Sequence, residues 1–303
     1  VSFPVTRSDT TEGTVSTSTL SYSTSNWNTA QTVTVYGVDD TLSDDNQAFS
    51  VTLGSVTSSD ANYAGKNPDD VSVTNVDNET ASITVSALSG NTTEMGGTAT
   101  FTVVLDSQPT SDVSIAVSSS DTSEATISPS SLTFGSSNYS TLQTVTVTGV
   151  DDFYDDDNVS YTITVDPSSS IASYNTMTSS TVTGYNIDND TAAITVGAKS
   201  GNTSEFGTTA TINVTLATIP TANVSIVVTD NDSTEVSITP TTLTITPSTW
   251  NTTNQVTLTG QDDSDNDGNI TFRISFDNAT SKDSKYNGMA PSLAFVDVIN
   301  VDD

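Results

Sequence analysis

The sequence predicts an all-β chain of tandem β-sandwiches arranged in a rod, and three observations lead to that reading. Apolar residues occupy every second position of short runs, as in Thr144-Val-Thr-Val-Thr148 and Thr32-Val-Thr-Val35. That is the period of a strand with one face buried and one wet. The chain resembles itself at an offset of about 111 residues, and no helical period interrupts the pattern.

The repeat is read from landmarks in one register. Val113-Ser-Ile-Ala-Val-Ser-Ser-Ser-Asp-Thr-Ser-Glu124 aligns with Val1 through Glu12 and with Val224 through Glu235. Gly37-Val-Asp-Asp40, Gly149-Val-Asp-Asp152 and Gly260-Gln-Asp-Asp263 keep the same offsets, as do Glu94 and Glu205. Each repeat closes on an acidic run, Asp77-Asn78-Glu79, Asp188-Asn189-Asp190 or Asp302-Asp303, and the next begins at once, which leaves no room for a flexible linker. The landmarks divide the chain into three units: 1–80, a sandwich lacking its first two strands, then 81–191 and 192–303.

Within the second repeat the alternation predicts strands near 83–87, 98–105, 113–118, 124–127, 131–134, 143–150, 159–165 and 182–187. Seven or eight strands in about 100 residues is the count of an immunoglobulin-like sandwich. The first unit has no counterpart of 81–112. Two readings fit: a longer repetitive polypeptide, favoured because the last repeat ends without a spare strand, or a neighbouring chain that adds the missing strands.

Composition then narrows the function. There are 37 acidic and 6 basic residues, a net charge of −31, and neither His nor Cys. Thiolate and imidazole metal sites, Ser-His-Asp or Cys-His nucleophiles and disulfides are thereby excluded. So acidic a chain repels nucleic acid and anionic lipid, and hard cations are the better partners. Residues 81–191 hold 13 Asp and Glu and no Lys or Arg, so cations from outside that repeat must compensate them. Paired carboxylates could serve a glycosidase, but here they lie in clusters that every repeat carries, and no enzyme is expected. No run reaches the roughly 20 apolar residues of a membrane-spanning helix. Val1-Ser-Phe-Pro4 lacks a basic leader, so any export signal lies outside the sequence.

The run Glu94-Met-Gly-Gly-Thr-Ala-Thr-Phe-Thr-Val-Val-Leu105, then Val145-Thr-Val-Thr-Gly-Val-Asp-Asp152 and the closing Asp188-Asn-Asp190, resembles the Calx-beta class of extracellular sandwich modules. Asp121-Thr-Ser-Glu124 stands where that class carries Asp-Tyr. The resemblance implies an immunoglobulin-like fold and calcium held at one pole by Glu, Asp-Asp and terminal Asp positions. It also implies a place in series with other modules in a bacterial surface or matrix protein.

The residues point the same way, because in a sandwich the loops after the first, middle and last strands can converge on one pole. The candidate ligands are Glu94, Asp151, Asp152, Asp157, Asp188 and Asp190 in the second repeat. Asp39, Asp40, Asp77 and Glu79 are their counterparts in the first, and Glu205, Asp262, Asp263 and Asp302 in the third. Against this stands a solvated acidic rim that serves solubility. Asp155-Asp-Asp-Asn158, Asp44-Asp-Asn46 and Asp265-Asn-Asp-Gly268 read as a second cation loop or as an Asx-rich turn. Trp27, Tyr139 and Trp250 share one repeat position, where an aromatic can stack on a sugar or cap the core. Among 12 glycosylation sequons are Asn78, Asn91, Asn158, Asn189, Asn213 and Asn278, little above what the composition produces by chance. The expected role is a calcium-stiffened structural segment of an extracellular or cell-surface filament, adhesin stalk or matrix fibre. Its partners would be neighbouring copies or continuing repeats, and glycans.

Overall fold

The computed structural model describes residues 1–262 and 267–302. The chain is all-β, with several sheets of immunoglobulin-like β-sandwich type, each built from strands of one sequence repeat. Among the described residues no helix is long and apolar enough to cross a membrane.

The second repeat is a sandwich of two sheets. One runs Ser131–Phe134, Val113–Ser119, Val159–Ser169, Ser180–Ile187 and Thr92–Thr93, and the other Ala125–Ser128, Gln143–Gly149, Thr98–Leu105 and Ile83–Val85. All pairings are antiparallel except the short Thr92–Thr93 beside Asn186–Ile187. The alternation seen in sequence sets the faces: Ala99, Phe101, Val103 and Leu105 point inward with Val145 and Val147, and the intervening threonines point out. Val113, Ile115, Tyr161, Ile163 and Val182 close the core from the facing sheet. Each fully buried aliphatic or aromatic side chain contributes roughly 1.5–3 kcal/mol.

Three departures from the sequence reading have local causes. The strand expected at 159–165 runs on to Ser169 through Pro167, because past Val165 it is paired on one side only, by Val113–Ser119. Thr92–Thr93 and the one-turn helix Ala172–Asn175 are too short to carry a period. That helix delivers Tyr174 into the core, where its hydroxyl donates to Ser107 O at 3.0 Å. Tyr286 repeats the device in the third repeat, donating to Thr218 O at 2.9 Å.

Among the described residues the third repeat buries 21 core residues and the second 16, whereas the first buries Val5, Leu20, Phe49 and Val51. In the first repeat the counterpart of Gln143–Gly149 is a strand only over Val35–Gly37, paired with Gly13–Val15. Among the described residues no strand lines its other edge, and Val33 and Val35 are only half-buried.

One backbone clasp joins successive repeats. Gln108 N donates to Thr41 O at 2.8 Å at the first junction, and Ile219 N donates to Phe153 O at 2.7 Å at the second. Thr41 and Phe153 are equivalent in the repeat, as are Gln108 and Ile219.

Removing a buried hydroxyl leaves its partner without a donor. Tyr174→Phe and Tyr286→Phe should each lower stability by about 1–2 kcal/mol, read as a lower melting temperature with an unchanged far-UV spectrum.

Candidate metal centre

Each repeat ties its strand ends around one asparagine, buried in the second and third repeats and half-buried in the first. Asn186 Nδ2 donates to Val150 O at 2.8 Å and to Glu124 Oε2 at 3.3 Å, and its Oδ1 accepts from Thr92 Oγ1 at 3.1 Å. Asn75 does the same with Val38 O at 2.8 Å and Glu12 Oε2 at 3.2 Å. Asn300 does so with Gln261 O at 3.0 Å, Glu235 Oε2 at 3.1 Å and Thr203 Oγ1 at 3.0 Å. The glycine of each Gly-x-Asp-Asp motif makes this possible. A Cβ on Gly37, Gly149 or Gly260 would collide with the Oδ1 of Asn75, Asn186 or Asn300.

A second tie closes the acidic loop. Asp188 Oδ2 accepts from Asp157 N at 2.9 Å, Asp77 Oδ2 from Asp45 N at 2.9 Å, and Asp302 Oδ2 from Gly268 N at 2.9 Å. The three donors share left-handed backbone, with φ of 64°, 64° and 78°. Asp and Gly adopt that region more readily than most residues.

These ties gather carboxylates at one pole of the second repeat. Glu94, Asp151 and Asp190 each present an oxygen within 4.8 Å of the others, and so do Glu124, Asp152 and Asp156. Glu94 is 1% exposed, and the N–H of Asn189 donates to its Oε2 at 3.0 Å. Burial, reinforced by Asp188, Asp152 and Asp156, overcomes that hydrogen bond and pushes its carboxyl up to about 7. Burial, then Glu124, Asp152 and Asp188, pushes Asp156 up to about 6. Glu124 and Asp190 are raised as well, burial again leading. The donors are all oxygens and their charge is uncompensated, which is the donor chemistry a hard divalent cation requires.

The remaining sequence candidates are spread over the three poles. Asp188 lies in neither triad, since its oxygens accept from Asp157 N and, at 2.7 Å, from Asp190 N. Asp157 is exposed and accepts from Lys285 Nζ at 2.8 Å. In the first repeat Asp40, Asp77 and Glu79 line one small cavity with Glu12 and Asp44, and Asp39 is exposed. There Asp44 is raised by burial and by Asp40, Glu12 and Asp77. In the third repeat Glu205 is buried, Asp262 is exposed, and Asp302 holds Gly268. Asp263 lies outside the described residues, as do Asp265, Asn266 and Asp303. Of the members of these triads, Glu124 was not among the sequence candidates, and Asp156 was named only within the Asp155-Asp-Asp-Asn158 run read as a second cation loop or an Asx-rich turn. Glu124 closes a run that aligns in all three repeats, and that recurrence was the available signal.

The aligned aromatics do not form one surface. Tyr139 and Trp250 pack against their cores, whereas Trp27 is 71% exposed because the core behind it is small. Asn78, Asn91, Asn158, Asn189, Asn213 and Asn278 are all exposed. Two of them also build the pole: Asn158 Oδ1 accepts from Asp188 N at 3.1 Å, and Asn189 Nδ2 donates to Asp151 Oδ1 at 3.1 Å.

No family model and no curated protein matches the chain. Among solved structures it is similar to CBD12 from CALX1.2, at 12% identity and a TM-score of 0.33 over 71% of this chain and 96% of that one. It is similar to domains 4–9 of the surface layer protein SbsC, at 16% identity and 0.27 over 89% and 36%. It is also similar to the collagen adhesin of S. aureus, at 10% identity and 0.22 over 73% and 92%. These likenesses concern the fold alone.

The geometry of the pole makes two outcomes measurable. Gly149→Ala forces a methyl group against the Asn186 amide and should cost about 1–3 kcal/mol, measured by denaturant titration. The second concerns pH in a chelating buffer. A carboxyl raised on folding stabilises the fold below its ordinary pKa and loses that contribution as pH rises through the folded value. The melting temperature should therefore fall between about pH 4.5 and pH 7, through the values of Glu94 and Asp156, and Glu94→Gln should flatten that fall.

Proposed function

We propose that this chain is a segment of an extracellular filament, adhesin stalk or matrix fibre, without catalytic activity, in which calcium at the acidic poles stiffens the row of sandwiches. The observation that carries this reading is the pair of carboxylate triads at one pole of a repeat that has no Lys or Arg of its own. Glu94, Asp151 and Asp190 would hold one ion, and Glu124, Asp152 and Asp156 a second. A bound divalent cation supplies the positive charge that turns mutual repulsion of these groups into attraction.

The chain's own residues do the rest. Glu94 is fixed through Thr92–Thr93 on the last strand, Asp151 and Asp152 come just after the Asn186 anchor on Val150, and Asp190 opens directly into the next repeat. Order at the pole is thereby coupled to order at the junction. The alternative, a carbohydrate- or cell-binding module using the aligned aromatics, has less support, since only Trp27 keeps an open face.

The test is a thermal melt across a calcium titration. Calcium at about one hundred times its dissociation constant stabilises a one-site fold by about 2.7 kcal/mol. The Asp151→Asn/Asp152→Asn variant should lose most of that gain in calcium and melt at or above the parent in EDTA. Equal melting shifts in both buffers would remove calcium from these residues.

A further inference from the structure

The two junctions share a backbone clasp but differ in the side chains around it. At the first, the side chains are polar: Thr41 Oγ1 donates to Gln108 Oε1 at 2.9 Å, beside the backbone pair of Ser43 N to Gln108 O at 3.2 Å. At the second, Phe153 replaces Thr41 and rests on Trp250 of the third repeat, with ring centroids 5.8 Å apart and planes tilted by 38°.

Two residues after Phe153, Asp155 stands where the first repeat has Ser43. With Tyr174 and Tyr286 aligned, Lys285 stands where the second repeat has Ser173. Lys285 Nζ meets Asp155 Oδ1 at 2.6 Å and Asp157 Oδ1 at 2.8 Å. The pair is substantially enclosed, with Lys285 29% and Asp155 14% exposed at the side chain. Asp155 is held from the other side by Ala192 N, which donates to its Oδ2 at 2.8 Å. Although burial opposes it, contact with Lys285 and Ala192 keeps Asp155 below the usual carboxylate range.

The lysine is aimed by its own repeat. Buried Asp283 accepts from Lys285 N at 2.9 Å and from Thr221 N at 2.7 Å, and Tyr286 anchors the same turn in the core. The backbone of Lys285 is thereby fixed, so only its side-chain rotamers remain to be ordered when the ammonium reaches across. Its contact with two carboxylates, one of them largely enclosed, separates it from a single exposed ion pair.

We propose that Lys285 is a tethered cation that locks the third repeat onto the acidic loop of the second, independently of any metal, and that the serine-lined first junction lacks this lock. The second junction then stays ordered in a chelator while the first flexes. Apolar Phe153–Trp250 contact and the charge pair together make the loop at 153–157 a docking site specific for the base of the third repeat.

Because the chain has no cysteine, spin labels can be placed at will. Ser21→Cys with Thr133→Cys reports the first junction, and Thr133→Cys with Thr244→Cys the second, from equivalent exposed strand positions in the full chain. In EDTA, pulsed dipolar spectroscopy should give a narrow distance distribution for the second pair and a broader one for the first. Lys285→Met should broaden the second at least about twofold without affecting the first, and Lys285→Arg should leave it narrow. Asp157→Asn, at an exposed position where Asn tolerates left-handed backbone, should broaden it less, and it serves as the readout should Lys285→Met fail to fold. An unchanged width in both charge-removing variants, or equal widths at the two parent junctions, overturns the proposal. Since no metal is present, a negative result would leave the calcium reading untouched.

Discussion

Everything at the acidic pole depends on the side-chain amide of one buried asparagine. Asn186 donates to the carbonyl of Val150 and to Glu124, and it accepts from Thr92, so one residue binds three strand ends that are distant in sequence. An unpaired amide at that depth would carry a desolvation penalty of about 1–3 kcal/mol, so the three partners hold one another in place. Asn75 and Asn300 make the equivalent bonds in repeats whose surrounding residues differ. The pole is therefore a property of the fold, and the carboxylates are mounted on it.

That mounting sets an electrostatic problem with several solutions. Like charges brought within a few ångströms repel, and burial strengthens the repulsion by removing water. At Glu94 and Asp156 the repulsion is met by proton uptake at higher pH than an ordinary carboxyl needs, near pH 7 and pH 6. At Asp188 and Asp77 backbone N–H groups absorb the charge, and at Asp155 a lysine from the next repeat does so. The compensation that residues 81–191 cannot supply themselves thus comes partly from further along the chain.

The strand pattern was legible because half-buried strands announce themselves by alternation, and Thr98–Leu105 and Ser131–Phe134 fall where that alternation ends. Glu94, Asp151 and Asp190 were legible as charged residues at strand ends that a sandwich can bring together. Glu124 and Asp156 were harder to assign, one because it sits within a strand-entry turn and the other because it is one of three consecutive aspartates. Asn186 was hidden for a different reason. Its importance is a matter of burial, and an asparagine two residues before an aspartate carries no sign in sequence of lying in the core. Lys285 was missed because its partners are about 130 residues away, and no local pattern encodes a contact of that range.

The three repeats act as a comparison carried within one molecule. Positions that stay fixed, the motif glycine and the anchoring asparagine, are those where a Cβ or a lost amide would break the pole. Positions that change do so in matched sets: Thr41 with Gln108 against Phe153 with Ile219, and Ser43 with Ser173 against Asp155 with Lys285. A loop free of contact would have no reason to vary jointly with a turn in the following repeat. Different side chains around an unchanged backbone clasp fit each of the two junctions to its own neighbour, so the ends of successive repeats are not interchangeable in their contacts.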